Sequence, residues 1–80
     1  MTLVVPHALL LLQADPGRAD EVASYVSALP AVTETAVTSG PYDVIVTIDL
    51  TDEPLAAVVR RARRAPVLCD LRVCRSGPRR

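Results

Sequence analysis

The residues best suited to chemistry lie in a turn, Gly40-Pro41-Tyr42-Asp43, within the segment SGPYDVIVTIDL at residues 39–50. The Asp43 carboxylate can pair with an ammonium group, and Tyr42 offers a hydroxyl and one of only two aromatic rings in the chain. Backbone N–H groups of a turn can hold a carboxylate, but Pro41 has none to give. The alternative is that the turn only reverses the chain, with Asp43 capping it and Tyr42 packing on a neighbouring subunit.

The other candidate nucleophiles, bases or metal ligands are His7, Cys69 and Cys74. The two cysteines lie on one predicted strand at a spacing that puts them on opposite faces and about 16 Å apart. They cannot form a disulfide with each other, and their spacing with a single histidine matches no metal site. Both are predicted to be small buried hydrophobic residues, and no metal or cofactor is expected.

Composition places the chain among small single domains. A chain of 80 residues buries only about 60% of its unfolded surface, so it gains much stability from a partner. An aromatic share of 2% leaves almost no stacking surface for single-stranded nucleic acid. The apolar run at residues 8–14 is too short to span a bilayer and follows no basic segment, so we expect a cytoplasmic protein without a signal peptide or membrane contact.

Charge is unevenly distributed, although the net charge is zero. Residues 1–53 carry eight acidic side chains and one arginine, a net charge of −7, and residues 54–80 carry the opposite charge, +7. This pattern predicts either head-to-tail complementarity between regions or subunits, or only solvated helix faces and a basic tail. Direct nucleic-acid binding by the arginines at residues 60–64 is not expected, because the pI is near 6.5 and positive charge also suits a helix C-terminus.

The elements that position the turn follow the order βαββαβ. Strands are predicted at residues 7–14, 31–39, 42–50 and 67–75, and helices at residues 18–29 and 54–64. A Thr or Asp of the TDEP segment is expected to cap the second helix, with Pro54 in its first turn. We therefore predict one α+β domain with a ferredoxin-like fold, in which both helices cover one face of a four-stranded antiparallel sheet. Its core is residues 7–75, and residues 76–80 are expected to form a disordered tail.

The uncovered face of this sheet is predicted to be apolar at its centre. Val44, Val46 and Ile48 are expected to face the helices, but the central strand at residues 7–14 is apolar on both faces, and its pattern does not decide which leucines are uncovered. Four large aliphatic side chains there offer roughly 6–12 kcal/mol of gross burial energy, which predicts a dimer joined sheet to sheet. The candidate interface residues are Leu9, Leu10, Leu11, Leu12, Val37, Ile45 and Thr47, with Ala36 as the alternative to Val37.

Three parts of the chain, taken in order, resemble one known family. They are Pro16-Gly17 before the first helix, Leu29-Pro30 followed by Val32, and the Gly40-x-Tyr42-Asp43 turn. Over residues 7–75 the chain resembles the ligand-binding domain of the Lrp/AsnC (leucine-responsive, or feast/famine) transcription regulators, also called the RAM domain. The resemblance implies a βαββαβ fold that dimerises through its sheets.

The resemblance also implies a function. Dimers of such domains assemble into rings of four or five dimers, and small effectors, usually amino acids, bind between dimers near the turn. Only MTLVVP precedes the first strand, which leaves no room for a helix-turn-helix. We therefore expect a non-catalytic, stand-alone effector domain that modulates transcription or amino-acid metabolism, with a DNA-binding relative as a possible partner. The expected ligand-binding residues are Ser39, Gly40, Pro41, Tyr42 and Asp43, although Pro41 replaces the polar residue that the family often has.

Three alternatives share this fold shape. A small dimeric α+β barrel enzyme, such as a monooxygenase, needs reactive polar groups inside the barrel, and here His7 is the only candidate base. An acylphosphatase-like site would use Arg18, but the chain has no Asn to position water. An ACT-like amino-acid-binding module is compatible with Gly17, and the Gly-x-Tyr-Asp turn favours the Lrp/AsnC interpretation over it.

Overall fold

The computed structural model describes residues 6–75, and the predicted tail at residues 76–80 lies outside them. The elements are β1 (His7–Ala14), α1 (Ala19–Ser27), β2 (Val32–Val37), β3 (Val44–Asp49), α2 (Leu55–Ala62) and β4 (Leu68–Arg75). This order confirms the predicted ferredoxin-like α+β fold. The bounds of β1 are those predicted, whereas the other elements are shorter because their ends pass into turns.

The four strands form one antiparallel sheet in the order β2-β3-β1-β4. β1 and β3 are therefore the central strands, as predicted. Leu9 lies opposite Thr47 of β3 and Cys74 of β4, and Leu11 lies opposite Ile45 and Arg72. These odd-numbered positions of β1 share one face of the sheet, because neighbouring side chains of a strand point to opposite faces.

The core lies between the sheet and the two helices. The buried residues are Ala8, Leu10, Leu12, Ala14, Val22, Val26, Ala31, Val44, Val46, Ile48, Val58, Ala62, Ala65 and Leu71. Val44, Val46 and Ile48 thus face the helices, as predicted. Leu10 and Leu12 are fully buried in the same layer. They belong to the core of the protomer, so their assignment to an interface between subunits was wrong.

The two helices differ in the residues at their N-termini. α1 carries Asp20 and Glu21 in its first turn, where the helix dipole favours negative charge. α2 has Pro54 at its N-cap position and no side-chain cap, so the prediction of a Thr or Asp cap was wrong. The loop before α2 makes two other contacts. The Thr51 N–H donates a hydrogen bond to Asp49 Oδ1 at 2.7 Å, and Glu53 forms an ion pair with Arg61.

Within residues 6–75 neither helix is long and apolar enough to cross a membrane.

Two irregularities interrupt the sheet. Thr33 is an extra residue in β2, between the pairs Val32–Ile48 and Glu34–Thr47. Cys69 is an extra residue in β4, because Asp70 lies opposite Gln13 while Leu68 lies opposite Ala14. Such bulges redirect the local side chain and increase the twist of the strand.

Candidate functional site at the turn of residues 38–43

The connection between β2 and β3 is a hairpin closed by Thr38. The Thr38 N–H donates a hydrogen bond to the Asp43 carbonyl oxygen at 2.7 Å, and its hydroxyl donates to the Tyr42 carbonyl oxygen at 2.7 Å. The Gly40 N–H in turn donates to Thr38 Oγ1 at 3.3 Å. Thr38 therefore holds both sides of the turn, a role that the sequence analysis missed.

The Asp43 side chain ties this turn to the end of the central strand. Its Oδ2 accepts a hydrogen bond from the Ala14 N–H at 3.0 Å in a partly buried position. The contact follows from the register, because Leu12 lies opposite Val44 and the next residues of both strands are therefore adjacent. Among the described residues no donor reaches the second oxygen, Oδ1, so it can accept a hydrogen bond from an ammonium group.

The start of β4 completes the same corner of the molecule. The Asp15 N–H donates to the Val67 carbonyl oxygen at 2.9 Å, and the Cys69 thiol donates to Asp15 Oδ1 at 2.8 Å. Val67 has a φ of 56°, an uncommon backbone conformation for a β-branched residue. Strained backbone of this kind occurs often at functional sites.

The corner is electrostatically negative. The hydrogen bond to Asp15 raises the pKa of the Cys69 thiol, and partial desolvation and the charges of Asp15, Asp43 and Asp70 raise it further. The negative charge of these carboxylates disfavours the Cys69 thiolate and favours a cation. The corner is thus suited to a positively charged group.

The five predicted ligand-binding residues form one contiguous turn with unequal exposure. Ser39, Gly40 and Pro41 are exposed, whereas Tyr42 and Asp43 are half-buried. The Gly40 N–H already has an acceptor, and Pro41 has no N–H to donate. The turn is therefore better equipped to bind an ammonium group than a carboxylate.

Both cysteines are exposed and unpaired, so the prediction that they are buried was wrong. Cys69 is the bulge residue of an edge strand, and Cys74 lies opposite Leu9 on the face away from the helices. Within residues 6–75, no group of three His, Cys, Asp or Glu side chains is arranged to hold a metal ion.

The face of the sheet away from the helices, here called the open face, has an apolar centre. Leu9, Leu11, Ile45 and Thr47 lie on it and are half-buried, and Ala36 lies opposite Ile45. Val37 lies instead opposite Val44, whose side chain is buried under the helices. Val37 is 50% exposed, but on the helix side of an edge strand, so its assignment to the open face was wrong and the alternative, Ala36, takes its place.

The corner joins residues that are far apart in sequence. Asp15 and Cys69 are 54 residues apart, and Ala14 and Asp43 are 29 apart. No local pattern marks Asp15, Val67 or Cys69 as parts of one site. The available signal was the βαββαβ topology, which brings the end of β1 and the starts of β3 and β4 to one end of the sheet.

Comparison with known proteins supports the fold more strongly than the family. No protein-family model matches the chain, and no curated protein is recognisably similar to it in sequence. The structure is similar to the crystal structure of TTHA0845 from Thermus thermophilus, with a TM-score of 0.75 and 21% identity over 92% of this chain and 99% of that one. It is also similar to the crystal structure of PH0061, with a TM-score of 0.75 and 20% identity over 99% of this chain. The match spans only 61% of PH0061.

A further similar structure carries a family name. The crystal structure of FFRP-DM1 has a TM-score of 0.74 and 27% identity, over 89% of this chain and 97% of that one. FFRP denotes the feast/famine regulatory proteins, which are the Lrp/AsnC family. The chain therefore has the βαββαβ fold of a group of small domains that includes an Lrp/AsnC-type protein.

Proposed function

We propose that this protein is an effector-sensing domain of the Lrp/AsnC type. In this proposal it associates with itself through the open face and binds a small molecule, an amino acid, at the turn of residues 38–43. Binding modulates transcription or amino-acid metabolism. The observation that carries the proposal is the similarity to FFRP-DM1 over 89% of the chain.

The open face supports self-association. Leu9, Leu11 and Ile45 lie side by side on the two central strands, with no helix above them. Fully burying one such side chain stabilises by about 1.5–3 kcal/mol, and these three are already half-buried, so each gains part of that in a dimer. Charged residues flank this centre on both edge strands, with Glu34 on β2 and Arg72 on β4. An apolar centre with a charged rim is the usual composition of a protein interface.

The corner at the turn supports an amino-bearing ligand. Asp43 Oδ1 offers an acceptor for an ammonium group, and the charges of Asp15 and Asp70 add to the attraction. The half-buried Tyr42 provides a ring that can pack against the ligand side chain. Because the turn itself has few free N–H groups, the ligand carboxylate would be held by residues of another protomer.

The proposal includes the partners that the resemblance to the Lrp/AsnC family implies. They are a second copy of the chain, further dimers that form an octamer or decamer, and a DNA-binding Lrp/AsnC relative with which the domain assembles. Catalysis, a cofactor, membrane contact and direct nucleic-acid contact form no part of the proposal.

A thermal-shift screen of the twenty amino acids tests the ligand. A ligand at about 100 times its dissociation constant should stabilise the folded state by roughly 2.7 kcal/mol. The informative variant is Asp43→Asn, because its amide oxygen can still accept the hydrogen bond from Ala14 while its charge is lost. We expect the ligand-induced shift to disappear in Asp43→Asn and to persist in Asp20→Asn, which removes an exposed carboxylate of α1. A screen without any shift, or a shift unchanged in Asp43→Asn, would refute this ligand site.

A further inference from the structure

The β3–α2 end of the molecule contains a small cleft lined by carboxylates. It measures about 120 Å³ and is lined by Pro30, Ala31, Thr33, Asp49, Asp52 and Glu53. We call it the acidic cleft. This space is larger than a single water molecule needs, so the head group of a side chain can enter it.

The walls of the acidic cleft are held by specific contacts. The Asp49 N–H donates to the Ala31 carbonyl oxygen at 2.8 Å, and Thr33, the bulge residue of β2, donates its hydroxyl to the Thr47 carbonyl oxygen at 3.2 Å. Hydrogen bonds from Thr51 lower the pKa of Asp49, and His7 lowers it further, so this carboxylate is charged at neutral pH. The cleft thus offers an attractive environment for a cation.

The other end of α2 carries an excess of positive charge. Arg60, Arg63 and Arg64 are exposed, and among the described residues none of the three forms an ion pair. We call these three residues the arginine patch. α2 buries Val58 and Ala62, so at 3.6 residues per turn Arg60 and Arg64 point away from the core. Arg61 differs from them because it pairs with Glu53 at 2.5 Å.

We propose that the arginine patch of one copy docks into the acidic cleft of a second copy, as a head-to-tail contact. The two surfaces are complementary in charge, yet they lie at opposite ends of α2, which is eight residues or about 12 Å long. Within one protomer Arg61 pairs with Glu53 at the edge of the cleft, whereas Arg60, Arg63 and Arg64 form no ion pair among the described residues and are left for a second copy. The chain has no net charge, but residues 1–53 carry −7 and residues 54–80 carry +7. This distribution favours association between copies of the chain.

This contact goes beyond the proposed function, because it requires neither a ligand at the turn nor burial of the open face. Contacts between two different surfaces of identical chains repeat from copy to copy, and they close into rings when the rotation allows it. Asp52 and Glu53 lie in the loop after β3, away from the apolar centre of the open face, and Asp49 is the last residue of β3, at the end of that face. The contact can therefore link one dimer to the next.

A charge-swap experiment on the full chain tests the contact. One variant reverses the charge of the patch (Arg60→Glu with Arg64→Glu), and the other replaces one of the three carboxylates of the cleft by a positive charge (Asp52→Arg). We expect each variant alone to weaken concentration-dependent assembly at least about tenfold in sedimentation velocity at low salt. An equimolar mixture should regain assembly, because the unchanged cleft of the patch variant then meets the unchanged patch of the Asp52→Arg variant. Raising the salt to about 0.5 M should weaken wild-type assembly, because exposed charges are screened.

Several outcomes would overturn the proposal. One is a mixture that assembles no better than its two components. Another is assembly that responds to the patch variant but not to Asp52→Arg, which would point to a different anionic partner such as nucleic acid. Asp20→Arg makes the same charge change outside both surfaces and should have no effect, and circular dichroism should show that every variant is folded. Ile45→Glu, which disrupts the open face, separates this contact from the sheet-to-sheet dimer, because it should leave the head-to-tail contact intact.

Discussion

The carboxylate of Asp43 accepts a hydrogen bond from the backbone N–H of Ala14 at 3.0 Å, across 29 positions of the chain. The acceptor belongs to the turn before β3, and the donor is the last residue of β1. The residue best placed to bind an ammonium ligand therefore also holds the end of the central strand. Under the proposed function, binding of a ligand to Asp43 would be coupled to the order of this end of the sheet through that one carboxylate.

Asp43→Ala should destabilise the fold by about 1–3 kcal/mol, because it leaves the partly buried Ala14 N–H without its acceptor. Asp43→Asn retains an acceptor oxygen and should cost less than Asp43→Ala. Urea unfolding followed by circular dichroism measures both, and the slope with denaturant should stay unchanged. If both variants lose the same free energy of unfolding, Asp43 stabilises the fold through its charge and not through its hydrogen bond.

Ile45→Glu should abolish the proposed sheet-to-sheet dimer in a chain that remains folded, because it places a charge at the centre of the open face. Val37→Glu is the matched control. It makes the same kind of change at a residue that is 50% exposed, but on the helix side of the sheet. Size exclusion with light scattering distinguishes the two. The sheet-to-sheet dimer is refuted if wild type is monomeric or if Val37→Glu dissociates the dimer as readily as Ile45→Glu.

Leu10→Ala should cost about 2–5 kcal/mol, because Leu10 is fully buried between the sheet and the helices. Its neighbour Leu9 is half-buried on the open face. In the background of Ile45→Glu, which should not form the proposed sheet-to-sheet dimer, we expect Leu9→Ala to reduce the free energy of unfolding much less than Leu10→Ala does. Unfolding by urea at several protein concentrations measures both. Similar costs would contradict the assignment of the two leucines to different faces.

Cys69 should react slowly with iodoacetamide, because its pKa is raised and only the thiolate attacks. In Asp15→Ala the hydrogen bond and the nearby charge are lost, so the thiol pKa should fall and the rate at about pH 8 should rise. The midpoint of the rate-against-pH profile should therefore lie at higher pH with Asp15 than without it. Cys74→Ser serves as the background, so that Cys69 is the reacting thiol, and Asp20→Ala is the control. A profile that does not move in Asp15→Ala would contradict the role of Asp15.

The elements were predictable from the sequence because each has a local signal. The bounds of β1 follow from the proline before it and the Asp-Pro-Gly turn after it, and the burial of Val44, Val46 and Ile48 follows from their alternation. The leucines of β1 had no such signal. All four are apolar, and only the pairing of β1 with β3 shows that Leu10 belongs to the core and Leu9 to the open face.

The candidate site was predictable only in part. The turn at Gly40 is marked by its own residues, whereas Asp15 and Cys69 join it through contacts between distant segments. The exposure of Cys69 depends on a bulge, and a bulge arises from the pairing of two strands rather than from the composition of one. For the same reason, the acidic cleft could not be recognised before Thr33 and Asp49 were placed at one end of the sheet.

The bulge at Cys69 makes β4 one residue longer than its pairing with β1 requires. Leu68 and Asp70 already lie opposite the consecutive residues Ala14 and Gln13. A chain without residue 69 would therefore form a regular ladder, and every later side chain of β4 would keep its present partner and its present face. At this point a one-residue deletion removes a thiol from beside Asp15 and leaves the rest of the strand pairing as it is.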